Sequence, residues 1–170
     1  MRILLIVVGV FVLLVLGVVL IGTALPKRHI ASRSASFKAA PEQIFALIAG
    51  PQNWRPDVRT SETIHDADGR ELMRETSRRG ETMTYELVDS VPPKSLTRRI
   101  VGKGLPFSGS WTYALQPSGG GTVVRITEDA EVYNPVFRFV SRFILGQTST
   151  MDAYLRALGK ATGQDISITN

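Results

Sequence analysis

The chain has 170 residues, with 20 Lys and Arg against 15 Asp and Glu, a net charge of +5 and no cysteine. The missing cysteine excludes a lipoprotein-type lipid anchor, and says nothing of the redox compartment, because a disulfide-free domain is allowed in either. The basic balance suits two partners, an anionic membrane surface or nucleic acid; no helix-turn-helix, zinc-finger or RNP-like pattern accompanies it, so no nucleic acid is expected.

In chain order, Ile3 to Leu25 comes first, an apolar run with no charged side chain and one hydroxyl, Thr23. About 20 apolar residues span the roughly 30 Å hydrocarbon core as a helix, and a helix satisfies its own backbone in lipid. The rival reading is a cleaved secretory signal, with Arg2 as its basic start and Gly22-Thr23-Ala24 as its cleavage site. A signal core runs to roughly 7–15 residues, and this run is longer. Residues 1–26 are therefore expected to be a single-pass transmembrane anchor. Arg2 on one side and Lys27, Arg28 and Arg33 on the other leave the orientation open.

Residues 27–163 are expected to form one domain, long enough to bury a core without staples, and 164–170 a disordered tail. The linker Pro26-Lys27-Arg28 is so short that the domain sits close against the headgroups. His29 to Lys38 reads as a strand. Pro41 and Glu42 open a helix with the apolar face Ile44, Phe45, Leu47 and Ile48, which Gly50-Pro51 ends. A run of strands follows. Val58–His65 and Glu71–Arg78 are separated by Asp66-Ala67-Asp68-Gly69. Glu81–Val91 alternates, with Met83, Tyr85, Leu87 and Val91 on one face. Leu96–Val101 is short. Phe107–Leu115 places Phe107, Gly109, Trp111, Tyr113 and Leu115 together, and Thr122–Val132 places Val124, Ile126 and Ala130 together. Asn134-Pro135 is an N-cap with Pro at the first helical position. The spacing predicts one long helix from there to about Ala161, bent at Gly146, with Phe137, Phe139 and Leu145 off its main stripe.

Few residues carry an obvious chemistry. Glu128 falls on the apolar face of its strand, where a carboxylate is costly without a partner. It, Tyr85 and Tyr113 are the weak candidates for acid–base work. His29 and His65 are isolated and make no metal pattern. The Asp66–Gly69 turn lacks the later ligands of a calcium loop, and the glycine runs at 102–104 and 119–121 lack the strand–loop–helix setting of a phosphate cradle. Arg138 and Arg142, four apart, could hold phosphate headgroups or be a solvated face.

The segment Ala39-Ala40-Pro41-Glu42-Gln43-Ile44-Phe45, Trp54 after it, Gly109-Ser110-Trp111-Thr112-Tyr113, Gly119-Gly120-Gly121-Thr122-Val123-Val124 and Asn134-Pro135 together resemble the SRPBCC or START-like superfamily, its polyketide cyclase/dehydrase and lipid transport group most. The resemblance runs from Ile30 to Leu158. It implies an α+β helix-grip fold, a curved antiparallel sheet wrapped around a long C-terminal helix, here preceded by one transmembrane helix. It also implies an apolar cavity between sheet and helix. Its expected ligand-binding residues are Met83, Tyr85, Leu87, Phe107, Trp111, Tyr113, Val124 and Ile126 from strands and Phe139, Phe143 and Met151 from the helix. No cofactor is expected. The expected function is a membrane-anchored carrier for a lipid or other apolar small molecule. Alternatives are a cyclase/dehydratase-type enzyme using the same cavity and a structural membrane subunit with a filled core. Fold alone does not choose among them, and the oligomeric state is open.

Overall fold

The computed structural model describes residues 1–170, the side chain of Leu145 excepted. Helix α1 (Arg2–Ala24) is the apolar run, with a mean hydropathy of 3.5 over its richest stretch. It stops where Leu25 turns extended ahead of Pro26. It is long and apolar enough to cross a membrane, a property that a signal sequence shares.

The chain then enters β1 (Arg28–Phe37) and α2 (Pro41–Ala49). Pro41 occupies the first helical position of α2 and Glu42 its first turn, the charge that the positive helix start favours. Ile44, Phe45 and Ile48 are buried, one face of a short helix. Six strands follow: β2 (Val58–His65), β3 (Glu71–Ser77), β4 (Thr82–Val91), β5 (Ser95–Val101), β6 (Phe107–Ser118) and β7 (Gly121–Val132). With β8 (Ile168–Thr169) they build one sheet of order β2-β3-β4-β5-β6-β7-β1-β8. All pairs are antiparallel, so short turns suffice between neighbours from β2 to β7. Strand β8, which pairs Ser34 with Thr169, lies in the segment expected as a loose tail.

The single long C-terminal helix is corrected to two. Asn134 caps α3 (Pro135–Val140) by accepting from the N–H groups of Val136 and Phe137 at 2.9 and 3.2 Å. A π-helical turn, Ser141–Leu145, continues it. Gly146 then takes φ +76°, a conformation that favours glycine, and α4 (Ser149–Ala161) starts in a new direction. The two halves have different tasks. Helix α4 covers the sheet, burying Met151, Tyr154, Leu155 and Leu158 against Ala35, Phe37, Leu96, Tyr113, Leu115, Val124 and Ile126. Helix α3 turns away to the end of α1. Gly22 approaches Pro135 so closely that an added Cβ would stand 2.0 Å from the Pro135 carbonyl oxygen. Arg138 crosses the same junction and donates from Nη1 to the Leu25 carbonyl at 2.8 Å. The result is a helix-grip fold, a sheet closed over α4, with an apolar helix at its N-terminus.

Candidate functional site

Antiparallel register decides which side chains share the inner face, because directly opposed residues point the same way. One row runs Leu87, Arg98, Trp111, Glu128 and Ala31 across five strands. Neighbouring rows carry Met73, Tyr85 and Ile100, and Leu96, Tyr113, Ile126 and Arg33. A fourth row contains Glu75, opposite Ser61 and Met83. Four charged residues, Glu75, Arg98, Glu128 and Arg33, thus enter a face that is otherwise largely apolar and aromatic, and Arg33 pairs with Asp152 of α4 at 2.9 Å.

Tyr154 of α4 stands over the middle of this face. Its ring meets Trp54 at 5.4 Å, Trp111 at 5.7 Å and Tyr113 at 5.4 Å between centroids, the first two edge-on. Those are favourable aromatic geometries. The Arg55 guanidinium carbon lies 5.3 Å from the same ring centroid, in cation–π range. The Tyr154 hydroxyl donates to Gln52 Oε1 at 3.0 Å. Gln52 in turn donates to the carbonyls of Leu47, Ile48 and Gly50, which closes the open C-terminus of α2. Arg55 donates to Glu75 at 3.0 Å and pairs with Asp57, and Arg98 donates to the Ala49 carbonyl at 2.6 Å.

Burial sets the protonation chemistry of this cluster. It pushes the Glu75 carboxyl up from its ordinary value, against the pull of Arg55 and Arg98. Burial also pulls on Arg55, but the Asp57 hydrogen bond and the Glu75 and Asp57 charges outweigh it and raise that group. The hydroxyls of Tyr85, Tyr113 and Tyr154 are all pushed up, chiefly by burial, so each stays protonated and can donate. The sequence singles out none of Arg55, Glu75 and Arg98 as a site residue. The phase of β3 and β5 held the signal: Glu75 alternates in step with Met73, and Arg98 with Leu96 and Ile100.

Of the residues expected to bind ligand, Tyr113, Val124, Ile126 and Met151 are buried in the core under α4. Met83, Tyr85, Phe107 and Trp111 are half-buried. They flank that core, where the inner face is only partly covered. The other three, Leu87, Phe139 and Phe143, are placed differently. Leu87 is 49% exposed, just before the irregularity that shifts the β4–β5 register. Phe143 is 59% exposed, because α3 and the π-helical turn leave the sheet; it stacks on half-buried Phe139 at 5.0 Å. Glu128 points inward and meets His29 at 3.7 Å, each side chain less than a fifth exposed. His29, set aside in the sequence as isolated, is thus brought beside this inward carboxylate. Among the described residues no group of three His, Asp or Glu could hold a metal ion.

Two cavities flank the sheet. One, about 490 Å³, lies between the ends of β1 and β7 and residues 164–169. The other, about 320 Å³, lies where α1 passes into β1, closed by Val132, Arg138, Ser141, Arg142 and Gln147.

No curated protein matches the chain by sequence. Solved structures share its fold at low identity. A START superfamily protein from Mycobacterium smegmatis superposes with a TM-score of 0.62 at 15% identity, covering 79% of this chain and 97% of its own. A ginseng major latex-like protein from Panax ginseng gives 0.61 at 15%, covering 81% and 97%. Norcoclaurine synthase from Thalictrum flavum gives 0.60 at 15%, covering 81% and 88%. Residues 28–162 match the family described as polyketide cyclase / dehydrase and lipid transport. That span takes in every strand from β1 to β7 and all of α4, and the chain belongs to this family.

Proposed function

We propose that the chain is a membrane-tethered binding protein for an amphipathic, largely apolar small molecule or lipid, which lies along the inner face beside α4. The observation that carries this is the contrast within one face. Met83, Tyr85, Phe107 and Trp111 stay half-buried, while the residues next to them close into a packed core. An apolar strip with a few polar groups at one end is the usual make-up of a small-molecule site. Trp54 and Tyr154 spend their polar atoms on Leu47 and Gln52. Among the described residues Tyr85 Oη and Trp111 Nε1 make no such bond, and both are free to meet an oxygenated ligand end. Family membership supports the same reading, and α1 supports the tether.

The experiment is native mass spectrometry and organic extraction of the full-length chain purified in mild detergent. An apolar ligand is expected to co-purify, and Trp111→Ala is expected to lose it with little change in fold. A ligand-free protein that also takes up no added fatty acid, sterol or isoprenoid overturns the reading. The mass of the mature chain decides the tether: retention of residues 1–24 supports it, and cleavage after Ala24 overturns it.

A second reading has one specific observation behind it. Glu75 is a buried carboxyl with a raised pKa and lies in the electrostatic neighbourhood of Tyr85. Such a pair suits general acid–base work of the cyclase/dehydratase kind. Turnover of a co-purified ligand that Glu75→Gln abolishes while binding persists would favour it.

A further inference from the structure

We infer that the cavity between the end of α1 and the α3–π-helical segment is a site for a phosphate group, that of an anionic phospholipid headgroup. The cavity, about 320 Å³, is lined by Lys27, Arg28, His29, Arg138 and Arg142 and by no acidic side chain. Arg28 is neutralised, since it makes two hydrogen bonds to Asp129 at 2.7 and 2.5 Å. His29 faces Glu128. Lys27 has no carboxylate within ion-pair distance among the described residues, and Arg142 meets only the neutral Gln147, at 3.1 Å.

Arg138 is the telling group. It is 8% exposed, yet no carboxylate pairs with it among the described residues. One of its nitrogens donates to the Leu25 carbonyl, and its buried Nε has no partner. A guanidinium held out of water with an idle donor is costly. Arg138 lines the cavity, and a phosphate there pairs the guanidinium's charge and offsets much of that cost. That the phosphate belongs to a lipid follows from the cavity's height, and here the inference rests on α1 crossing the bilayer. The lining begins at Leu25, one residue past the helix, at the depth of the headgroups. Beside it Phe137, Phe143 and Ile144 are 50, 59 and 67% exposed, an apolar rim suited to the acyl boundary.

The test uses the full-length chain in nanodiscs of phosphatidylcholine alone or mixed with phosphatidylglycerol. The chain is then moved into neutral detergent and its retained lipid counted by native mass spectrometry. Wild type is expected to keep one phosphatidylglycerol per chain and to discard phosphatidylcholine. Arg138→Gln is expected to lower that retention roughly tenfold, the size of one lost charge-assisted hydrogen bond. Because Arg138 is buried, exposed Arg142→Gln is the second arm, with a smaller loss expected and an unchanged circular dichroism spectrum. Equal retention of both lipids, or retention that Arg142→Gln and a folded Arg138→Gln leave untouched, overturns the proposal. Displacement by millimolar inorganic phosphate overturns the lipid source and assigns a soluble phosphate. A chain whose mass shows α1 removed fails the tether reading instead, and the two failures are read separately.

Discussion

Two groups of arginines in this domain are treated differently. At the inner face Arg55 and Arg98 are spent: Glu75, Asp57, the Tyr154 ring and the Ala49 carbonyl account for them. At the cavity below α1, Arg138 and Arg142 have no carboxylate partner among the described residues. The first group holds three segments of chain together, because it ties the loop after α2 to β3 and β5. The second meets only neutral groups, Arg138 the Leu25 carbonyl and Arg142 the Gln147 side chain. Charges that are spent internally speak of architecture, and charges kept in reserve speak of something outside the chain.

The largest effect should come from opening the spent group. Glu75→Ala removes the buried carboxyl that Arg55 donates to, and breaking a buried pair in this way costs about 3 kcal/mol or more. Urea unfolding of the detergent-solubilised chain measures it. Glu75→Gln should be much milder and should alter the pH profile. The folded-state pKa of Glu75 is raised, so folding takes up a proton between its ordinary value of 4.5 and that higher value. Its stabilising contribution is then fullest below 4.5 and is lost as pH rises through the folded pKa. Wild type minus Glu75→Gln should therefore show stability falling with rising pH above about 4.5. A flat difference would mean that Arg55 holds the carboxylate ionised.

A smaller effect is expected one layer out. Tyr154→Phe keeps the ring packing but strands Gln52 Oε1, a buried acceptor, at a cost of about 1–2 kcal/mol. The same denaturation measurement reads it. The smallest sharpens the contrast from the other side. Arg142→Gln should change stability by less than about 0.5 kcal/mol, as exposed substitutions usually do. A large loss would show that this arginine, too, belongs to the architecture.

Most of the sheet was legible in the sequence because period-two alternation and turn residues mark its strands directly. Phe107, Trp111 and Tyr113, or Val124 and Ile126, declare a face without any knowledge of their partners. The end of the grip helix was not legible. Val136, Val140, Phe143 and Met151 fall on one stripe at helical spacing, and only Gly146, at φ +76°, separates the half that covers the sheet from the half that leaves it. A glycine within an otherwise good pattern reads as a weak helix position, costing about 1 kcal/mol, and not as a change of direction. The interior charges were missed for a related reason. Arg and Glu are assigned outward by habit, and the partners that make Arg55, Glu75 and Arg98 tolerable inside come from distant parts of the chain. His29 and Glu128 meet for the same reason, 99 positions apart in sequence and adjacent only once β1 lies against β7.

Gly22 touches the Pro135 backbone with no space for even a methyl group. Together with the Arg138 bond to Leu25, this makes α1 and α3 behave as a rigid bracket and not as a leash. A domain on a leash samples every tilt and reaches away from its own bilayer. A domain on a bracket keeps one side down. With α1 in a bilayer, as proposed above, whatever it binds arrives from, and returns to, the surface on which the domain stands, and its search runs in two dimensions.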